Sequence, residues 1–88
     1  MPRYMVTRSL PPLGKDDLVV VQKNVIDAAK KIDGVSWIRS HLTADGRNSF
    51  CELEAPSADA CREHARIAQL PVDDVIPLGM EIGPTTRW

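Results

Sequence analysis

Ala44-Asp45-Gly46-Arg47 stands between two runs in which side chains of contrasting polarity alternate, Val35 to Thr43 and Asn48 to Glu54. Asp-Gly between two such runs favours a tight turn, so the stretch reads as a β-hairpin. This hairpin constrains everything around it. A helical stripe precedes it: Leu18, Val21, Val25, Ala28, Ala29 and Ile32 recur at helical spacing. Asp16 reads as the helix start, through its side-chain acceptor and its charge at the positive end of the dipole. Asp33-Gly34 reads as its end, glycine suiting a left-handed cap. A second stripe follows the hairpin: Ala58, Cys61, Ala65 and Ala68, with Ser57 as N-cap and an end before Pro71.

The outer segments supply two more strands. Tyr4 to Ser9 is rich in β-formers and stops before Pro11-Pro12. Val75 to Ile82 carries Pro77 and Gly79, which suits an edge or a bulge. Gly83 onward reads as a short tail. The order βαββαβ, closed by right-handed crossovers, predicts an α+β ferredoxin-like sandwich over residues 1–88. It has a four-stranded antiparallel sheet and two helices on one face. At 88 residues the chain is a single domain that buries only about 60–65% of its unfolded surface. A second copy on the open face, as in a dimeric α/β-barrel, would add burial.

Composition narrows the partners. With 11 Lys+Arg against 12 Asp+Glu and no basic cluster, the chain has no footprint for nucleic acid. The longest apolar run, Leu18-Val19-Val20-Val21, is far short of the roughly 20 residues of a membrane span. Met1-Pro2-Arg3-Tyr4-Met5 has no apolar leader stretch, so a cytoplasmic location is expected. Cys51 and Cys61 do not make a disulfide framework and are expected as buried thiols facing the helix–sheet core.

Strand alternation predicts which side chains share the open face. Under the helices go Ile38, Ser40 and Leu42, then Cys51 and Leu53, then Ile76, Leu78, Met80 and Ile82. The open face is expected to collect Trp37, Arg39, His41, Phe50, Glu52 and Glu54, with Tyr4, Val6 and Arg8 from the first strand. A tight turn sets Thr43 opposite Asn48, His41 opposite Phe50 and Arg39 opposite Glu52. Aromatic walls with a few polar groups suit a ligand pocket, here Tyr4, Trp37, Arg39, His41, Phe50 and Glu52. They also suit a dimer interface.

His41 stays open to three readings: metal ligand, general acid or base, or interface histidine paired with Glu52. Imidazole and carboxylate together suit nickel, zinc or another divalent first-row ion, with His41 and Glu52 first and Glu54 and His64 behind them. No HxH or HExxH spacing reinforces that set. His64 reads first as a boundary histidine bonded to backbone, and second as a ligand near the sheet's end.

Four segments resemble a known family: Tyr4-Met5-Val6-Thr7-Arg8, Val35 to His41, Phe50 to Pro56, and Arg62-Glu63-His64-Ala65. They are similar to small bacterial proteins first known only as a domain of unknown function, now described through a nickel-binding, nickel-responsive actinobacterial member. Ser40-His41 matches the family's Ser-Tyr/His element, and His64-Ala65 its His-Ala element. Leu53 and Glu52 depart from it, where members often carry an aromatic and a small apolar residue. The resemblance implies a ferredoxin-like subunit, a homodimer with paired sheets, and binding of nickel. The alternative is a small-molecule enzyme of the dimeric α/β-barrel type, akin to cofactor-free monooxygenases, cyclases or isomerases. There His41 would be the acid or base, Arg39 would hold an anion, and Trp37 and Phe50 would wall the cavity. A structural or regulatory dimer with no site is the plainest reading.

Overall fold

A computed structural model describes residues 1–88 and shows the predicted order: β1 (Arg3–Ser9), α1 (Lys15–Lys30), β2 (Ser36–Leu42), β3 (Asn48–Glu54), α2 (Ala58–Ala68) and β4 (Asp74–Leu78). The sheet order is β2-β3-β1-β4, and every neighbouring pair is antiparallel. This is the ferredoxin-like arrangement. The hairpin forms where Asp45-Gly46 predicts it. Thr43 N–H donates to the Asn48 carbonyl at 2.9 Å, Gly46 N–H to the Thr43 carbonyl at 2.8 Å, and Gly46 takes φ of 73°.

The helix ends show how local chemistry sets boundaries. Ser57 caps α2, its hydroxyl accepting from Ala60 N–H at 3.1 Å. For α1, Gly14 rather than Asp16 is the N-cap, and Asp17 reaches back to accept from Gly14 N–H at 2.8 Å. Asp16 lies within the first turn, where its charge still meets the dipole. β4 stops at Leu78, four residues before the expected Ile82, so Met80 and Ile82 lie outside the sheet and are exposed. Pro77 accounts for a short edge strand, because it has no N–H to give to a ladder.

Only 14 of 88 residues are buried, so the core is as thin as the chain length implies. Its centre is Val6, Leu53, Ala55 and Cys61, each fully buried between the sheet and α2. A second cluster, Val25, Ala28 and Ala68, joins the two helices. The N-terminal half of α1 contributes nothing fully buried: Leu18 and Val21 are half-covered, and Val19 and Val20 are exposed.

Candidate functional site

Pairing registers place the open face in three rows. His41, Phe50, Thr7 and Asp74 form the first; Arg39, Glu52, Met5 and Ile76 the second; Glu54, Arg3 and Leu78 the third. His41 opposite Phe50 and Arg39 opposite Glu52 are the expected pairs. Glu52 is the anchor. Its carboxylate accepts from Arg3 Nη1 at 3.0 Å on one oxygen and from Arg39 Nη1 at 3.1 Å on the other. Arg3 also reaches Glu54, with Nε 3.5 Å from its carboxylate. Around this network Phe50, Ile76 and Leu78 are each about 40% exposed. His41 is exposed beside Phe50 and diagonal to Glu52.

Several expected facings are corrected. Trp37 lies opposite Leu53 and packs into the core, while Arg39 lies opposite Glu52 on the other side. One extra residue, Ile38, bulges the strand between them and breaks the alternation. The bulge lets the indole leave water, and its Nε1–H donates to Ser40 Oγ at 2.9 Å. Tyr4, Val6 and Arg8 also face the helices: Val6 is fully buried, Arg8 is 2% exposed, and Tyr4 packs on the core. Arg3, Met5 and Thr7 take the open face instead. β4 is inverted likewise, with Val75 inside opposite Val6 and with Ile76 and Leu78 outside. The expected pocket therefore divides. Arg39, His41, Phe50 and Glu52 stay together, whereas Tyr4 and Trp37 lie across the sheet. The cavity that Trp37 walls, about 320 Å³, lies under α1 and does not include His41.

His64 is also separated from His41. It projects from α2 into the interior, is fully buried, and its Nε2 is 3.0 Å from the Val25 carbonyl. A carbonyl only accepts, so Nε2 carries the proton and Nδ1 is a bare lone pair, buried with no partner. Burial holds the imidazole below its ordinary pKa and nearby Arg8 pushes the same way, while the bond to Val25 works against both. His64 thus ties α2 to α1 as a neutral ring. Cys51 and Cys61 are free, buried thiols, and burial raises the pKa of Cys61.

Within one chain no three His, Cys, Asp or Glu side chains converge as metal ligands. His41 offers one accessible imidazole. Both oxygens of Glu52 are engaged by guanidinium groups, and Glu54 shares Arg3. The open face of a single copy supplies donors of the right chemistry without a closed centre.

The model of the family described as "Nickel responsive protein SCO4226-like" matches residues 4–78. The chain belongs to this family. Among solved structures it is similar to that of SCO4226 from Streptomyces coelicolor A3(2), at a TM-score of 0.80 and 16% identity, covering 91% of this chain and 99% of that one. At such identity the likeness speaks for the fold. No curated protein matches the sequence. The span matched by the nickel responsive family includes β1 from Tyr4, the other three strands, both helices, His41 and His64. Both elements that carry the resemblance are therefore inside it, one on each side of the sheet. No helix is long and apolar enough to cross a membrane.

Proposed function

We propose that this member of the nickel responsive family is a cytoplasmic homodimer that binds nickel, or a similar divalent transition metal, through the open face of its sheet. The observation that carries the reading is the inverted β4. Ile76 and Leu78 face outward next to Phe50, while the smaller Val75 faces in. A sheet this poor in buried core gains by covering those side chains, and a second copy of the same face is the cover that two-fold symmetry provides. The charged rows then serve register: Arg3 and Arg39 are already paired with Glu52 and Glu54 within one chain and enter an interface without a bare charge.

Pairing of the two faces also answers the shortage of ligands in one chain. His41 from each copy supplies two imidazoles, the donor type that suits nickel and zinc. Glu54 and Glu52 are the carboxylates nearest in the sheet, and each would have to loosen from Arg3 to ligate. His64, buried in the helix layer, is outside this centre. The two free cysteines fit a reducing compartment.

Isothermal titration of the protein with nickel and with zinc, repeated on His41→Ala, tests this. The expected result is stoichiometric binding that the substitution abolishes, with the fold intact by circular dichroism. Binding indifferent to His41, or no binding, would contradict it.

A further inference from the structure

We infer that the cavity beneath α1 is a binding site for a medium-chain aliphatic monocarboxylate, whose carboxylate pairs with Arg8 and whose chain lies against the apolar wall. This site is independent of the open face and lies on the opposite side of the sheet.

Arg8 carries the argument. It sits at the hairpin end of the covered face, opposite Ser49, which itself pairs with Leu42. Its side chain is 2% exposed, yet it pairs with no carboxylate. Its single hydrogen bond runs from Nη1 to the Pro71 carbonyl at 2.9 Å, and Nε is buried with no partner. Burying a guanidinium costs several kcal/mol, which a lone carbonyl does not recover. A leucine or methionine would fill the same space at no such cost. The unpaired charge therefore points to an anion that is brought from outside.

The surroundings say which anion. Arg8 lines the cavity of about 320 Å³ between the N-terminal half of α1 and the sheet. Ten of its fifteen lining residues are hydrophobic, among them Leu18, Val21, Val25 and Trp37. The wall has two charged side chains, Arg8 and Lys15, both cationic, and no Asp or Glu. Ser40 and Ser49 add hydroxyls. Ser40 Oγ already accepts from the Trp37 indole, so its own O–H is left to donate. One buried guanidinium on the wall of an otherwise mostly apolar chamber matches a carboxylate on a hydrocarbon tail. A single negative charge matches the one buried cation, since Lys15 is exposed to solvent. The half-covered α1 segment has a reason in this reading: Val21 packs at the edge of the Val25–Ala28–Ala68 cluster and Leu18 is half-covered, and the ligand's chain completes the cover of both.

Octanoate is the probe, with 1-octanol and octylamine as neutral and cationic controls. Binding is followed by fluorescence in a Trp88→Phe background, which leaves Trp37 as the one indole, and by calorimetry. The expected result is saturable binding of one octanoate per chain, about tenfold or more tighter than octanol, with octylamine weakest. Arg8→Met should remove the preference for octanoate over octanol while keeping octanol binding. Leu18→Trp, which narrows the chamber, leaves Arg8 in place and is read by calorimetry because it adds a second indole, should abolish both. Should Arg8→Met fail to fold, the comparison of the three probes on the parent chain and the Leu18→Trp result decide the matter. Octanoate binding no tighter than octanol, or unaffected by Leu18→Trp, would overturn the inference, as would no binding at all.

Discussion

Arg39 and Arg8 lie on one sheet with β3 between their strands, and the fold treats them in opposite ways. On the open face Arg39 shares Glu52 with Arg3, so each charge meets an opposite one while still wetted. On the covered face Arg8 is sealed with one carbonyl and no acid. His41 and His64 repeat the contrast: one exposed beside an aromatic, the other a fully buried neutral ring. The open side keeps accessible donors and apolar side chains suited to a second surface. The covered side holds groups whose state burial controls. A histidine or arginine in this chain is therefore understood from its side of the sheet, not from its residue type.

The contrast is broken most strongly at His64. His64→Ala removes the bond to Val25 and leaves a hole, and is expected to cost about 2–4 kcal/mol in urea unfolding. The same substitution should leave nickel binding by the folded protein unchanged, whereas His41→Ala should do the reverse. Part of the His64 contribution depends on pH. Its folded pKa lies below the ordinary 6.5, so the unfolded chain takes up the proton first as pH falls. Stability should be complete above about pH 6.5 and decline below it toward the folded pKa. In His64→Ala that decline should vanish, which paired melts across the range would show.

Glu52→Gln sharpens the comparison on the other face. It strips both guanidinium groups of their shared carboxylate, and a loss of about 1–2 kcal/mol is expected in unfolding experiments. If Glu52 mattered only as a metal ligand, stability without metal would not change. The smallest effect falls on both faces together. Gly46→Ala strains a turn at φ of 73° and should cost about 1 kcal/mol. Because the hairpin register sets both faces, it should weaken metal binding and octanoate binding by similar factors, measurable by titration.

Much of the fold was legible because local signals agreed. Asp45-Gly46 and Ser57 punctuated elements whose apolar spacing was clear, and the Arg39–Glu52 and His41–Phe50 register followed from the turn; α1, by contrast, ends at Lys30 with Lys31 as a right-handed C-cap, before the expected Asp33-Gly34, whose glycine takes φ of 82° in the turn that follows. Facing was harder. Strict alternation does not register a bulge, so Trp37 was expected beside Arg39; two large apolar residues in succession, Trp37-Ile38, were the available warning. In β1 both alternating sets are mixed, and Arg8 reads as a surface charge until Pro71 and the cavity are seen around it. In β4 the larger apolar set lies outside, which reverses the usual rule and is intelligible if that face is covered by another copy. For the candidate site, His41, Glu52, Glu54, Arg39 and Phe50 were legible as neighbours. His64 was not separable from them by sequence, because its side of the sheet depends on how α2 packs.

Amide spectra of isotopically labelled protein titrated with nickel decide whether the metal sits on the open face. The expected result is perturbation of Arg39, His41, Phe50 and Glu52, with Val25, His64 and Ala68 in the helix layer left in place. Perturbation centred on His64 and Val25, with His41 unmoved, would contradict it.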